Sequence, residues 1–272
     1  MDLTDVLKIN KKKVIPSKFI LNEIQKNKNL EFNLPLGLKC FDKTILKGGV
    51  HPNKKYLIYG ANKTGKTQLC HQICVQAFKF LSKNSKNSKK NPIKIILYLD
   101  TENTFRPERI KEIASERNLD YIKIFKTINV SKIMSNSALL LKLKEIEEQK
   151  QPEKLRVLII DSINNHYRSE QGISFYNAKM TFLKSLKIIN QLTKKFNLIT
   201  FATAQIVPNF IDDAIVRDIP VGNQYLNHFF SEYFYLGIEE DKNYIHILNS
   251  QLFPEKKVFF KISSKGIEEF DV

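Results

Sequence analysis

The chain has 272 residues, 42% of them apolar and 26% charged, with a formal net charge of +16. That is enough apolar chain for one large core. The lack of any long uninterrupted apolar run, or of an apolar stretch near the start, argues against a membrane span and a secretory leader. Three cysteines, Cys40, Cys70 and Cys74, argue against a disulfide framework and for a reducing interior. The expected location is therefore cytoplasmic, at the nucleoid in a prokaryote or nuclear in a eukaryote. Forty-four basic residues against 28 acidic ones suit a polyanionic partner such as nucleic acid. The excess is nearly all lysine, and Asn and Ile are also abundant, a composition that AT-rich coding produces without selection.

Residues 1–33 predict a lysine-rich arm with a short apolar cluster at residues 19–21. From Leu34 to residue 272 the texture is that of a single core domain. A buried strand falls at residues 56–59, and a helix is expected from about Lys66. Residues 82–92, S-K-N-S-K-N-S-K-K-N-P, have no means of packing a core and predict a surface loop. Strand and helix then alternate: strand 93–99, helix 107–118 with Pro107 in its first turn, strand 122–125, helix 138–149, strand 157–160, helix 175–197 and strand 198–203. Such alternation implies an α/β fold with a largely parallel sheet flanked by helices. Strand-like runs at 233–237, 244–248 and 257–262 predict C-terminal β-hairpins.

The segment Gly60-Ala61-Asn62-Lys63-Thr64-Gly65-Lys66-Thr67 matches the phosphate-loop pattern and lies between the strand and the helix. Glycines let the backbone wrap so that N–H groups face phosphate oxygens, and the helix start adds a positive dipole end. Lys66 is the residue to reach the β- and γ-phosphates, and the Thr67 hydroxyl the one to coordinate Mg²⁺. ATP and Mg²⁺ are the implied cofactors. Asp161 closes the apolar strand V-L-I-I, where it fits either a water-mediated Mg²⁺ ligand or a helix-capping Asp; the phosphate loop favours the metal. Glu102 ends another strand-like run on the same edge and fits a general base or a surface ion-pair partner.

Together these segments resemble the RecA/RadA recombinase superfamily in its archaeal and eukaryotic branch. The likeness is carried by G-A-N-K-T-G-K-T-Q-L-C-H (60–71), Y-L-D-T-E-N-T-F-R-P-E-R (98–109), L-I-I-D-S-I-N-N-H-Y-R (158–168), T-A-Q (203–205) and P-V-G-N (220–223), in the family's order. The resemblance implies a RecA-like P-loop ATPase core. It also implies that Glu102 activates water, that Gln205 senses the γ-phosphate, and that Gln68 and Arg109 belong to the nucleotide site, Arg109 stacking on adenine. Pro220 resembles a residue that a neighbouring subunit places over ATP.

Departures from the family narrow the function. The lysine-rich arm stands where a helix-hairpin-helix domain is usual, and no F-x-x-A docking element appears in residues 1–36. Residues 169–176, S-E-Q-G-I-S-F-Y, carry no base where the family's first DNA-binding loop has one. The second loop, about 207–219, holds Arg217 against Asp212, Asp213 and Asp218. These changes suit a RadB-like RadA paralogue that assists recombination, binding single-stranded DNA without sequence preference, a RadA-type recombinase or another RecA-fold paralogue, with homo-oligomers possible and no membrane. An active strand-exchange recombinase and a KaiC-like regulatory ATPase acting on proteins are the competing functions.

Smaller signals have mundane readings. Cys70 and Cys74, a helical turn apart with His71 between, are read as buried packing rather than a metal site. The aromatic run Phe229-Phe230 and Tyr233-Phe234-Tyr235 is read as core rather than a base-stacking platform. His166 and His228 are read as hydrogen-bonded support, His228 bridging the Gln205 strand to the second loop.

Overall fold

The computed structural model describes residues 33–81, 96–148, 155–209 and 218–270. The expected arm lies, but for Asn33, outside the described residues, as do the 82–92 segment and, of the second loop, Asp212, Asp213 and Arg217.

Among the described residues the strands are β1 (Lys54–Gly60), β2 (Ile96–Asp100), β3 (Ile128–Lys132), β4 (Val157–Asp161), β5 (Ile199–Ala204), β6 (Ile206–Pro208), β7 (Asp218–Pro220), β8 (Glu232–Glu239), β9 (Lys242–Leu248), β10 (Lys256–Ser263) and β11 (Gly266–Glu269). Nine of them form one sheet in the order β11-β10-β9-β8-β1-β5-β4-β2-β3, while β6 and β7 pair separately. From β3 across to β8 every neighbouring pair is parallel. From β8 to β11 every pair is antiparallel, which gives the expected C-terminal hairpins. The helices are α1 (Lys66–Leu81), α2 (Pro107–Glu116), α3 (Tyr121–Thr127), α4 (Asn136–Glu148), α5 (Asn165–Lys195) and the short α6 (Asn223–Leu226), with a π-helical turn at Phe41–Ile45.

Strands β2, β4 and β5 are buried at every position, as befits parallel strands covered on both faces. Alternate residues feed two cores. On one face Leu57, Leu99, Leu158, Ile160 and Ala202 pack against Leu139 and Leu143 of α4 and Phe182, Leu186 and Leu192 of α5. On the other, Tyr56 stands 5.4 Å from Phe201 and 5.6 Å from Phe234, ring centre to ring centre. Phe234 meets Phe41 edge-on. The aromatic strand residues Tyr233, Phe234 and Tyr235 are therefore core, as the sequence suggests. Cys70 and Cys74 are fully buried in α1.

Two local expectations are corrected. Residues 122–125 form a helix, not a strand. The Asp120 side chain accepts from Ile122 N at 3.0 Å and Lys123 N at 3.2 Å, an N-cap that starts α3. Ile124 and Thr127 then face inward at helical spacing while Ile122 is exposed. The strand comes just after, as β3, whose sequence I-N-V-S-K carries too few apolar residues to announce it. The helix expected from residue 175 begins at Asn165, with a break at Ser174 (φ −154°, ψ 93°). Gly172, Ile173 and Ser174 are poor helix formers, and they divide α5 there.

Candidate functional site

The phosphate loop leaves the carboxyl end of β1 and enters α1. Gly60 has φ +151°, and a Cβ there would lie 2.0 Å from Leu236 O on the adjacent strand. Gly65 has φ +101°. Both positions need glycine for this turn. Thr64 Oγ1 donates to Ala61 O at 2.9 Å and tightens the loop, leaving Ala61, Asn62 and Lys63 exposed at its tip. Lys66 Nζ donates to the carbonyls of Gly60 and Ala61, each at 2.8 Å. Burial pulls the Lys66 pKa down, and the nearby Glu102 and Asp161 carboxylates pull it back up.

Asp161 ends β4 directly beside Asp100 at the end of β2. It is 2% exposed, and its oxygens are wrapped in hydroxyls. Thr67 Oγ1 donates to Oδ2 at 2.9 Å, Tyr98 OH to Oδ2 at 2.8 Å, and Thr203 Oγ1 to Oδ1. Burial raises its pKa, the three hydroxyls oppose that, and Glu102 adds to it. Thr67 and Asp161 are thus in direct contact, with Lys66 and Glu102 close enough to be felt electrostatically. Tyr98 is a member of this cluster that sequence reasoning missed. The signal was a hydroxyl inside an otherwise aliphatic buried strand, where it must find an acceptor.

Glu102 is placed by its neighbour. The Asp100 carboxylate accepts from the backbone N–H of Glu102 at 3.2 Å, Thr104 at 3.1 Å and Phe105 at 3.1 Å, which curls residues 101–105 back over the strand end. Glu102 Oε1 then accepts from Ser162 Oγ and, at 2.9 Å, from Gln205 Nε2. The Gln205 amide oxygen accepts from Arg168 Nη1 at 3.3 Å. The Gln205 backbone is held by Asn164, which accepts its N–H at 2.8 Å and donates to its carbonyl at 2.9 Å. A third bond, Asn164 Nδ2 to Val221 O at 3.0 Å, ties this strand end to the P-V-G-N segment. Asn164 is fully buried, and no spacing in the chain announces this role.

Arg109 closes the other side. Its Nε donates to Gln68 Oε1 at 2.6 Å, and its Nη2 reaches Ser263 O on β10 at 2.5 Å. Gln68 and Arg109 therefore share one corner, next to the C-terminal hairpin. His166 is bonded to Ile133 O at 2.8 Å, a supporting role. Among the described residues His228 lies not beside Gln205 but by the start of β8, at the amino end of the parallel strands, with Lys55 and Lys194.

A family model named Rad51 matches residues 28–270. The chain belongs to the Rad51 family. It is 27% identical over 254 residues to the DNA repair and recombination protein RadA of Cenarchaeum symbiosum (strain A), covering 91% of this chain and 61% of that protein. It is 26% identical over 260 residues to the DNA repair and recombination protein RadA of Methanococcus maripaludis (strain C5 / ATCC BAA-1333), covering 91% of this chain and 79% of that one. The sheet and helices are thus the RecA-like core of the Rad51 family.

The donor set fits a magnesium nucleotide. Thr67, Asp161 and Glu102 offer hard oxygen atoms, and Mg²⁺ takes one or two carboxylates while phosphates and waters complete its octahedron. Among the described residues no cluster of three or more His, Cys, Asp or Glu side chains has metal-site geometry, so neither Cys70-His71-Cys74 nor any other group there forms a closed protein cage. Among the described residues no helix is long and apolar enough to cross a membrane.

Proposed function

We propose that this Rad51-family chain binds ATP·Mg²⁺ and uses it in recombinational DNA repair, as an accessory RadA paralogue that contacts single-stranded DNA, the main recombinase, or both. One observation carries the reading: Lys66, Thr67, Asp161 and Glu102 come together at the carboxyl rim of the parallel sheet, where such folds bind ligands. Bound ATP·Mg²⁺ supplies the scissile phosphoanhydride and a counter-charge for it. Within the chain, the loop N–H groups and Lys66 orient phosphate oxygens, and Thr67 with Asp161 holds the cation. Glu102 accepts a proton from attacking water, a role its backbone anchoring by Asp100 supports. Gln205, bonded to Glu102 on one side and to Arg168 on the other, links the reacting end to the start of α5.

The accessory role rests on the first-loop region. Glu170 there is spent on Asn136 N at 2.9 Å, and the tip presents Ile173, Phe175 and Tyr176, exposed by 88%, 53% and 70%, with no cation between residues 169 and 176. Strand exchange requires a grip on phosphates that this tip does not offer. The test is the ATPase rate with and without single-stranded DNA, alongside DNA binding at several salt concentrations and size-exclusion chromatography with and without ATP. The proposal expects slow turnover and ATP-dependent, salt-sensitive DNA binding that Lys66→Ala abolishes. Rapid DNA-stimulated turnover with filaments points to an active recombinase, and no DNA binding at physiological salt points to a regulator of proteins.

A further inference from the structure

The sheet has a second functional-looking edge. At the amino end of the parallel strands a pocket of about 550 Å³ opens between the start of β1, the last turns of α5, and the turns that precede β8 and follow β9. It lies on the far side of the sheet from the phosphate loop. Lys55 and Gly60 sit near opposite ends of β1, about 16 Å apart at the usual strand rise.

The pocket's chemistry is one-sided. Among the described residues its cations are Lys55 and Lys194, with His228 beside them, and no carboxylate lines it. Lys55 Nζ donates to Asn190 Oδ1 at 2.8 Å, a neutral acceptor. Burial, then the charges of Lys194 and Lys54, hold the Lys55 pKa down at about 8. Every cause of that shift is unfavourable to the ammonium, and none comes from a carboxylate. A partly buried cation in this setting is stabilised by an anion brought to it.

The amides point the same way. The Asn190 oxygen is taken by Lys55, and the Asn227 oxygen accepts from Tyr233 OH at 2.7 Å. These bonds spend neither amide's N–H donors, which remain to be given. The buried Phe230 and Tyr233 also line it. Ammonium and amide donors gathered in a largely polar recess form an acceptor-seeking cavity of small-ligand size.

We propose that this pocket is a second anion site, which takes a phosphate group on the edge of the sheet opposite the nucleotide rim. Lys55 is its central cation, Lys194 its outer one, and Asn190 and Asn227 its neutral donors. The phosphate comes either from a free polyphosphate anion or from a nucleic-acid backbone, and the two arms of the test separate these sources.

The full chain is prepared with Lys66→Ala, so that the phosphate loop does not capture the probe, and is titrated calorimetrically with sodium tripolyphosphate. Saturable uptake is expected. Adding Lys55→Gln weakens it about tenfold, the loss of a charge-assisted contact. Lys194→Gln weakens it less, and Lys126→Gln, an exposed lysine elsewhere, leaves it within about twofold. Lys55→Arg retains most of the affinity, which separates lost charge from a damaged fold. In the second arm a short oligothymidylate is added to the probe complex. Displacement that depends on Lys55 assigns the site to a nucleic-acid backbone, and no displacement assigns it to a free anion; either result upholds the pocket. Absence of saturable uptake, or equal affinities for the Lys55→Gln and Lys126→Gln proteins, overturns it.

Discussion

Gln205 Nε2 lies 2.9 Å from Glu102 Oε1, and the same Gln205 amide accepts from Arg168 at the start of α5. Under the proposed function this puts the water-activating carboxylate and a γ-phosphate sensor in one hydrogen-bonded chain. Glu102→Gln keeps the size and removes the base. It is expected to lower ATP turnover by about a hundredfold or more while nucleotide affinity changes little. Gln205→Leu is expected to retain ATP binding and lose the effect of ATP on DNA affinity. Filter binding of ATP beside a steady-state phosphate assay distinguishes the two variants from Lys66→Ala, which loses binding itself.

Thr67 Oγ1 donates to Asp161 Oδ2 at 2.9 Å, and under the proposed function this pair is where the cation is held. Thr67→Val removes the hydroxyl at nearly constant volume. Its expected signature is a loss of magnesium dependence: ATP affinity measured with Mg²⁺ falls about tenfold, toward the value measured with EDTA. An unchanged magnesium response in this variant rules out the proposed metal position.

Asn164 makes three hydrogen bonds from a fully buried site, two to the Gln205 backbone and one to Val221 O. Asn164→Ala leaves backbone groups without partners, and a loss of about 2–4 kcal/mol is expected from urea unfolding. Tyr98→Phe removes one of the hydroxyls that solvate Asp161, with an expected cost of about 1–2 kcal/mol by the same measurement.

His71 gives a pH prediction. Its Nε2 accepts the Arg106 N–H at 3.1 Å, while burial, aided by Arg109, depresses its pKa to about 4 from 6.5. The unfolded chain therefore binds the proton more readily than the folded one between those values. Stability from this group is present above pH 6.5 and is lost as pH falls toward 4, by about 2 kcal/mol between pH 7 and pH 5. His71→Gln retains an acceptor for Arg106 and does not titrate. Denaturant midpoints at both pH values are expected to move less in that variant than in the parent; equal movement removes His71 as the cause.

Much of this was legible in the chain. Residues 60–67 are a contiguous run between β1 and α1, so position in sequence fixes position in space. Asp161 was legible because a parallel strand delivers its last residue to a known rim of the sheet, and Glu102 because it follows the end of β2 by two residues. Local pattern failed where its signal was ambiguous. Residues 122–125 alternate like a strand, and the Asp120 cap together with burial of Ile124 made them a helix.

The sequence by itself determined the glycine-rich loop between β1 and α1, the α/β alternation and the two rim carboxylates, because each is written in residues adjacent in the chain. Only the tertiary structure decided how Tyr98, Thr203 and Thr67 share Asp161, how Asn164 fastens Gln205, and how Lys55, Asn190 and Lys194 come to line one pocket. Those contacts join residues tens to more than a hundred positions apart. Hydrogen bonds and charge act over a few ångströms of space, and no spacing along a single chain encodes which distant strands will stand side by side.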